Sequence, residues 1–244
     1  MKPSGNTILI TGGGSGIGRE LARAFHEAGN AVIISGRRAS VLEEVTAAYP
    51  GMSAMQLDLS DARGVTYFAR QLLCEHPDLN VVVNNAGVMQ PEDQIDLAVA
   101  EATIATNLLG PIRLTAALLP QLSAQYDAAV INVSSALAFV PFAATPTYCA
   151  AKAALHSWTV SLRQQLRAAG VEVIELIPPA VQTELQPGQS VSPHAMPLDA
   201  FMAETMAQLR RQPTPSEICG EWAEVMRSVV DAERFARAFG SLNG

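Results

Sequence analysis

The sequence has little of what would place the chain among disulfide-rich, metal-binding or nucleic-acid-binding proteins. Its three cysteines, Cys74, Cys149 and Cys219, are odd in number and far apart, so neither a disulfide framework nor a zinc site is indicated. Its four histidines show no metal-ligand spacing, and we predict no metal. The net charge is -7 and there is no basic run, so we predict no nucleic-acid partner.

Two kinds of apolar segment are also missing from the sequence. The N-terminal residues 1–6 lack the apolar core of a signal peptide, and no apolar run approaches the roughly 20 residues that cross a bilayer. What the chain does have is 49% hydrophobic residues over 244 positions, enough for one large core. We therefore expect a cytoplasmic protein with a single domain over residues 1–244 and no membrane partner.

A glycine-rich segment follows the first predicted strand, Thr7 to Ile10. It reads Thr-Gly-Gly-Gly-Ser-Gly-Ile-Gly over residues 11–18, and helical periodicity follows from Arg19 to Ala28. Glycines let the backbone approach a pyrophosphate closely, and the free N–H groups of the helix's first turn point at it. The strict Gly-x-Gly-x-x-Gly pattern is absent, and the pattern present is Thr-Gly-x-x-x-Gly-x-Gly. A flexible loop is the alternative, but the position between strand and helix favours nucleotide binding.

Two arginines follow the second predicted strand, Ala31 to Ser35. A carboxylate at this place would accept from the ribose hydroxyls of NAD, whereas Arg37 and Arg38 suit a 2′-phosphate. We therefore predict NADP(H) as the preferred cofactor, with NAD(H) possible. The alternative is two solvated arginines ahead of a surface helix, Ser40 to Ala48.

Polar residues also end the next two predicted strands. Asp58 and Leu59 close the strand Met52 to Leu57, and Asp58 either accepts from an adenine amino group or begins the turn into a helix at 61–75. The apolar strand Val81 to Val83 ends at Asn84-Asn85-Ala86-Gly87, which fits a packed turn against a cofactor at the carboxyl end of a strand. A plain asparagine-rich turn is the alternative.

The second half of the chain carries a candidate acid–base pair. A strand at 130–133 runs into Ser134 and Ser135, and a helix begins near Tyr148 with Lys152 four residues later, on the same face. A nearby cation favours the phenolate and lowers the phenol's pKa from about 10, and the hydroxyl of Ser135 would hold a substrate oxygen beside it. The alternative is a helix with a solvated lysine. Cys149, beside the proposed acid, is interpreted as a structural residue rather than a nucleophile.

Other segments complete the chain. A helical region at 97–124, interrupted by Gly110-Pro111, contains Asn107 on an apolar face, where a backbone-bonded asparagine is the alternative to a functional one. After a sixth strand, Val171 to Ile177, the segment 184–212 is predicted as a substrate loop, starting with a Gly- and Pro-rich stretch and offering Leu185, Met196 and Phe201. Helices are predicted at 198–211 and 216–232, with no strand after them.

The alternation of strands and helices predicts an α/β fold: a single-domain, Rossmann-like, doubly wound parallel sheet of six or seven strands flanked by helices. Over roughly residues 7 to 183 the chain resembles the short-chain dehydrogenase/reductase family. The resemblance is carried by the glycine pattern at 11–18, by Asn-Asn-Ala-Gly at 84–87, by Asn107, by Ser135 and by Tyr148-x-x-x-Lys152.

The resemblance implies reversible hydride transfer between a nicotinamide and a small carbonyl or alcohol substrate. The implied catalytic residues are Asn107, which anchors a proton-relaying water, Ser135, Tyr148 and Lys152. The implied cofactor residues are Gly12, Ser15, Gly16, Ile17, Gly18, Arg37, Arg38, Asp58, Leu59, Asn85, Ala86, Gly87, Tyr148, Lys152, Pro178, Val181 and Thr183. A homodimer or homotetramer is implied as well, with a dimer through the helices that hold Asn107 and Tyr148 as the safer expectation.

Two departures from the family pattern bear on these expectations. Pro178-Pro179 stands where family members commonly have Pro-Gly, which affects the path of the nicotinamide loop, and the seventh strand of many members is not recognisable. A dinucleotide-binding redox-sensing or regulatory protein without turnover is the alternative function. Such a protein has no need of Tyr148 and Lys152.

Overall fold

A computed structural model describes residues 1–229 and 232–243 and contains one parallel sheet. The strand order is β3-β2-β1-β4-β5-β6-β7. The strands are β1 Thr7–Thr11, β2 Ala31–Gly36, β3 Ser53–Gln56, β4 Val81–Asn84, β5 Ala129–Val133, β6 Glu172–Ile177 and β7 Glu217–Cys219. The predicted Rossmann-like fold is confirmed, with seven strands.

Helices connect the strands and cover both faces of the sheet. They are α1 Gly16–Glu27, α2 Ala39–Ala48, α3 Ala62–Glu75, α4 Leu97–Ile104, α5 Gly110–Ala124, α6 Pro146–Leu166, α7 Leu198–Leu209, α8 Glu221–Arg227 and α9 Ala232–Asn243. A five-residue π-helical segment, Ala105–Leu109, joins α4 to α5. Every residue of β1, β4 and β5 is buried, as expected for parallel strands with helices on both faces.

Two apolar clusters form the core, one on each face of the sheet. On one face α1, α2 and α7 pack against residues such as Ile10 and Ile34. On the other face α3, α5 and α6 pack against residues such as Leu9 and Val130. The chain builds β1, β2 and β3 outward in one direction and then restarts with β4 on the other side of β1. This reversal opens a crevice at the carboxyl ends of β1 and β4, where such sheets bind ligands.

The C-terminal expectations were partly wrong. The predicted helix at 216–232 is instead the short strand β7 followed by α8, with residues 230 and 231 outside the described part of the chain. β7 pairs in parallel with β6 through three residues, too few to show a strand period in the sequence. The segment after residue 232, predicted without a strand, forms helix α9.

The helical region 97–124 differs from expectation in two ways. The predicted interruption at Gly110-Pro111 is a change of helix type, because the π-helical segment runs directly into α5. The stretch is also long and apolar enough, with a mean hydropathy of 1.3 over its best window, to match a membrane span by length and composition. This match was not predicted from the sequence. In the fold, Leu114, Leu118 and Leu122 are fully buried beside α3.

Candidate functional site

A cavity of about 430 Å³ occupies the crevice at the strand ends. Its volume lies in the usual range for small-molecule sites, roughly 300–1,000 Å³. Almost all predicted site residues line it. They are Gly12, Ser15, Gly16, Ile17, Gly18, Arg37, Arg38, Asp58, Leu59, Asn85, Ala86, Gly87, Ser135, Tyr148, Lys152, Pro178, Val181 and Thr183. The structure thus brings together residues from six of the seven strand ends.

The glycine-rich turn is shaped by contacts that exclude side chains. Gly12 and Gly16 have φ of +68° and +53°, a region that favours glycine. A Cβ on Gly18 would lie 2.3 Å from the backbone oxygen of Gly12. A Cβ on Gly13 would lie 2.6 Å from the side chain of Ile34, so this position also requires glycine, a requirement that the motif alone did not show. Helix α1 begins at Gly16, and its first-turn N–H groups face the cavity.

Thr11 ties this turn to the asparagine-rich turn after β4. Its hydroxyl oxygen accepts hydrogen bonds from the backbone N–H groups of Asn85 and Ala86, both at 3.0 Å. The side-chain amide of Asn85 donates to the carbonyl of Thr11 at 2.9 Å. Asn85, Ala86 and Gly87 therefore form a packed turn on the cavity wall, whereas the side chain of Asn84 lies between the sheet and α5, where it donates to Asn132 and Thr115. The role of the Thr11 hydroxyl was not anticipated from the sequence.

One end of the cavity carries the two arginines. Arg37 and Arg38 are exposed and follow β2. Asp58 follows β3, and its Oδ1 accepts from the backbone N–H and the hydroxyl of Ser60 at 2.9 and 2.7 Å. These bonds, chiefly the one from the Ser60 hydroxyl, together with the charge of Arg37, lower the pKa of Asp58. The turn-forming role of Asp58 is thus observed, and Leu59 beside it is buried against Gly110.

The loop after β6 lines the opposite end despite the Pro178-Pro179 departure. The carbonyl of Pro178 accepts from the N–H of Ala136 at 2.9 Å, which joins this loop to the end of β5. Val181 pairs with Met196, and the amide of Gln189 donates to the carbonyl of Val181 at 2.6 Å. The first part of the predicted substrate loop is therefore anchored to the segment after β6 through Gln189 and Met196, and residues 198–209 form helix α7. Leu185 lines the cavity, but Met196 and Phe201 pack against the core and do not.

Ser135 and Tyr148 both line the cavity wall. The Ser135 oxygen accepts from the N–H of Leu137 at 3.1 Å, which leaves the hydroxyl proton free to point elsewhere. Tyr148 is 5% exposed and packs among Met89, Cys149 and neighbouring apolar side chains. Its burial raises the pKa of the phenol to about 12, and the nearby hydroxyl of Ser135 only partly offsets this rise.

Lys152 lies one helical turn after Tyr148 on α6 and is 4% exposed. Its ammonium donates to the carbonyl of Val133 at 2.7 Å and stands 5.7 Å from the centre of the Tyr148 ring. Burial lowers the pKa of Lys152 to about 8, opposed by the charge of Glu175. The expected lowering of the pKa of Tyr148 is not seen in this structure, where burial raises it and the hydroxyl of Ser135 opposes the rise only in part.

Asn107 is fully buried in the π-helical segment and lies behind the cavity wall, outside the lining set. Its side-chain amide exchanges two hydrogen bonds, both of 2.8 Å, with the backbone N–H and carbonyl of Val88. The side chain thus holds the segment after Gly87 in place. Pro111, four residues later, has no N–H to offer the backbone carbonyl of Asn107, so that carbonyl lacks its α-helical donor.

A buried ion pair close to Lys152 was missed by the sequence analysis. Nδ1 of His156, on α6, lies 2.9 Å from a carboxylate oxygen of Glu175, which is fully buried in β6. The bond to this carboxylate raises the pKa of His156. The signal available in the sequence was a carboxylate within the otherwise apolar run of β6.

Cys149 has a structural role, as interpreted from the sequence. It is buried, and its sulfur contacts the backbone of Phe142 and the hydroxyl of Thr145. Burial raises the pKa of the thiol, which disfavours the nucleophilic thiolate. Within the described residues, no group of three or more potential metal-ligating side chains comes together.

Comparison with known proteins identifies the family. The short chain dehydrogenase family model matches residues 6–192, so the chain belongs to this family. It is 45% identical over 189 residues to an uncharacterized oxidoreductase, DltE, of Bacillus subtilis (strain 168), covering 76% of this chain and 75% of that protein. It is 32% identical over 189 residues to an NADP-dependent 3-hydroxy acid dehydrogenase of Schizosaccharomyces pombe, covering 74% and 73%.

A solved structure agrees with this assignment. A short chain dehydrogenase from Burkholderia cenocepacia J2315 in complex with NADP superimposes with a TM-score of 0.83 at 25% sequence identity, covering 99% of both chains. The protein is therefore an oxidoreductase that acts on CH–OH or C=O groups with a nicotinamide cofactor. Members of the family act on small molecules and generally oligomerise.

Proposed function

We propose that the protein is an NADP(H)-dependent carbonyl reductase in which Tyr148 protonates the substrate oxygen. The placement of Ser135, Tyr148 and Lys152 together on the wall of one cavity carries the proposal. A phenol with a pKa of about 12 is protonated at neutral pH. It is therefore ready to donate to the alkoxide that forms as a carbonyl is reduced, which favours the reductive direction.

Ser135, Lys152 and Asn107 would have the other roles in the reaction. The hydroxyl of Ser135 would hold the carbonyl oxygen next to Tyr148. Lys152 supplies a positive charge beside the phenol once its proton has left. The side chain of Asn107 holds the backbone after Gly87, and its backbone carbonyl, to which Pro111 has no N–H to donate, suits a water that exchanges protons with Lys152. The nicotinamide cofactor, when bound, supplies or accepts the hydride.

NADP(H) is favoured over NAD(H) by the charges at the end of β2. The cavity presents Arg37 and Arg38 there and offers no carboxylate on the same turn. Guanidinium groups suit a 2′-phosphate, whereas a carboxylate would repel it. The relative from S. pombe and the structure from B. cenocepacia are described as using or binding NADP, in agreement with this preference.

The substrate is proposed to be an uncharged aldehyde or ketone. Among the described residues that line the cavity, the cations are Arg37, Arg38 and Lys152. The arginines stand three strand spacings from β5, roughly 14 Å, and so cannot reach a substrate at Ser135. Met89 packs against Tyr148, and the substrate loop contributes Glu184, Leu185 and Gln189 to the cavity lining. The carboxylate of Glu184 would repel an anionic substrate. This differs from what the name of the 3-hydroxy acid dehydrogenase indicates, since that substrate is an anion.

A homodimer through α4, α5 and α6 is proposed as the assembly, with a tetramer as the larger alternative. Apolar side chains of α4, of the π-helical segment that joins α4 to α5, and of α6 are exposed on the single chain, namely Leu97, Leu109 and Val160. Sedimentation velocity of the wild type and of Val160→Glu tests this. A monomeric wild type would contradict it, as would a variant that assembles unchanged.

The central experiment compares Tyr148→Phe with the wild type in NADPH-dependent reduction of a panel of carbonyl compounds. Tyr126→Phe, at a position 91% exposed, is the matched control. We expect Tyr148→Phe to lose about 10²–10⁴-fold in kcat, the usual share of general acid catalysis, and the control to lose nothing. Equal activity of the wild type and Tyr148→Phe would contradict the proposal. NADPH binding without turnover on any substrate would favour a redox-sensing or regulatory protein.

The same panel tests the substrate class. Uncharged aliphatic and aromatic aldehydes and ketones are compared with 3-oxo acids of similar size. A higher kcat/KM for the uncharged compounds is expected, because the one cation at the catalytic end, Lys152, is 4% exposed and donates to the carbonyl of Val133. Preference for the oxo acids would contradict this part of the proposal.

A further inference from the structure

A row of polar side chains crosses the sheet just below the catalytic end of the cavity. Asn84 pairs in register with Asn132, Asn132 with Glu175, and Glu175 with Glu217, so one residue from each of β4 to β7 lies at the same level. We call these four residues the transverse polar row. Residues at one level of a parallel sheet project from the same face, here the face covered by α5 and α6.

Hydrogen bonds connect the row to those helices. The Asn84 amide donates to Asn132 at 2.8 Å and to Thr115 of α5 at 3.0 Å. The Asn132 amide donates to Thr159 of α6 at 2.9 Å. The side chains of Asn84 and Asn132 are uncharged amides, so they form these hydrogen bonds without burying a charge. Glu175 is different, because a carboxylate in a central strand is costly where an apolar side chain would pack.

Glu175 has an exposed fraction of 0%, and both of its oxygens lie within 3.0 Å of Nδ1 of His156. His156 is 26% exposed, and its ring packs edge-on against Phe139, with ring centroids 4.7 Å apart. The imidazole thus fixes the orientation of the carboxylate and connects it to the outer surface of α6. A single hydrogen-bonded partner on one side leaves the charge of Glu175 free to act on its other neighbours.

Lys152 is such a neighbour. It lies four residues before His156 on α6, on the same face of the helix. Its ammonium is held by the carbonyl of Val133, and Val133 pairs in register with Leu176, the residue after Glu175. The carbonyl that holds the ammonium of Lys152 therefore belongs to the residue pair next to the pair that contains Glu175. The charge of Glu175 raises the pKa of Lys152 against the effect of burial.

Two other charged groups near Lys152 and Glu175 form an ion pair with each other. Glu217, the last member of the row, forms an ion pair with Arg227 of α8. Glu217 raises the pKa of His156 and Arg227 lowers it, so their effects oppose each other. The nearby thiol of Cys219 is neutral, because its pKa is raised to about 12. Arg163, further along α6, donates to the carbonyls of Val173 and Ser216, so its charge is directed away from Lys152. Among the described residues, Lys152 is the cation whose pKa the charge of Glu175 raises most directly at the catalytic end of the cavity.

We propose that Glu175, oriented by His156, is a positioning residue that supplies the counter-charge keeping the ammonium of Lys152 protonated at the catalytic end of the cavity. Without it, burial alone would favour the neutral amine, and the cation beside Tyr148 would be lost near neutral pH. The kinetic consequence rests on the proposed function. The electrostatic inference does not.

The chain is well suited to a direct measurement, because it contains only two lysines, Lys2 and Lys152. Protein made with side-chain ¹³C-labelled lysine gives two Cε–Hε signals, whose shifts follow deprotonation of each amine. Lys2, with a side chain 55% exposed, is an internal reference in the same sample. The measurement needs neither substrate nor turnover, so its failure is distinct from failure of the proposed activity.

The variant is Glu175→Gln and the matched control is Glu217→Gln, which removes a carboxylate from the same row beside the already paired Arg227. We expect the titration midpoint of Lys152 to fall by at least about one pH unit in Glu175→Gln, the usual effect of losing a nearby opposite charge. Glu217→Gln should leave it in place. An unchanged midpoint in Glu175→Gln, or equal falls in both variants, would overturn the inference.

A measurement on the wild type covers the case in which Glu175→Gln does not fold. Protonation of His156 neutralises the pair and weakens the field at Lys152. The Lys152 signal should therefore show a second, smaller step at the pH where the His156 imidazole titrates, and the Lys2 signal should not. Absence of that step from the Lys152 signal would overturn the inference as well. Where the enzyme is active, the alkaline limb of kcat/KM for carbonyl reduction should move to lower pH in Glu175→Gln and stay in place in Glu217→Gln.

Discussion

The ammonium of Lys152 stands 5.7 Å from the centre of the Tyr148 ring and donates to the carbonyl of Val133, at the end of β5. This hydrogen bond from a buried ammonium joins α6 to β5 at the catalytic end of the cavity. Both groups are almost completely buried, and burial moves their pKa values in opposite directions, up for the phenol and down for the amine. At neutral pH the phenol is protonated. The amine is protonated too, but its pKa of about 8 lies only slightly above neutral pH.

Replacing Lys152 by methionine should stabilise the fold at neutral pH. The pKa of this amine is lowered to about 8, so folding below that pH includes the cost of burying a charge. The cost is fully present below pH 8 and disappears as the pH rises to the unfolded-state value of about 10.4. Urea unfolding at pH 7 should show Lys152→Met more stable by about 1–3 kcal/mol, together with a large loss of activity.

The control for this prediction is Lys2→Met. Lys2 is exposed and pairs with Asp127 at 2.9 Å, so its removal should change stability by less than about 1 kcal/mol. The gain from Lys152→Met should also shrink between pH 8 and pH 10. A loss of stability at pH 7 in Lys152→Met would contradict the prediction.

The buried phenol of Tyr148 should make stability fall in alkali. Its pKa is raised to about 12, above the unfolded value of about 10, so the folded state retains this proton more tightly. The resulting stabilisation is fully present below pH 10 and is lost as the pH rises from 10 to 12. Tyr148→Phe should therefore lose less stability than the wild type between pH 9 and pH 11 in urea titrations. Parallel losses would show that the phenol is not buried as described.

Arg37→Ala should weaken NADPH binding more than NADH binding. Arg37 lines the cavity after β2 and carries the charge proposed to hold the 2′-phosphate. A lost hydrogen bond to a charged group costs about 1.5–3 kcal/mol, which corresponds to roughly 10- to 150-fold in the dissociation constant for NADPH. Fluorescence titration measures both affinities. Equal affinities of the wild type for the two cofactors would refute the argument from the arginines.

Gly13→Ala tests the packing of the phosphate loop on the sheet. The added Cβ would lie 2.6 Å from the side chain of Ile34, which is fully buried and cannot move freely. We expect destabilisation of about 1–3 kcal/mol in urea unfolding, the usual cost of overpacking, and weaker cofactor binding. Gly240→Ala is the control, because a Cβ there meets no atom within 4 Å in helix α9 and should be neutral or slightly stabilising. Equal stability of Gly13→Ala and the wild type would contradict the close approach.

Much of the fold was predictable because its signals are local. The apolar run Val81 to Val83 lies within one strand, and the glycine pattern after β1 lies within one turn, so each can be recognised from neighbouring residues. β7 was not predictable, since three residues carry no period and its place depends on pairing with β6. The Gly13 contact was also out of reach, because Ile34 comes from the neighbouring strand β2.

The sequence by itself determined which side chains are present at each strand end: the glycine-rich turn, two arginines, the asparagine turn, Ser135, Tyr148 and Lys152. Their spacing along single strands and helices was enough to predict the sheet and the family, because secondary structure follows local periodicity. Only the tertiary structure decided the electrostatics. Burial raised the pKa of Tyr148, and strand register brought Glu175 next to Lys152 and His156, because desolvation and charge–charge distance depend on residues far apart in the chain.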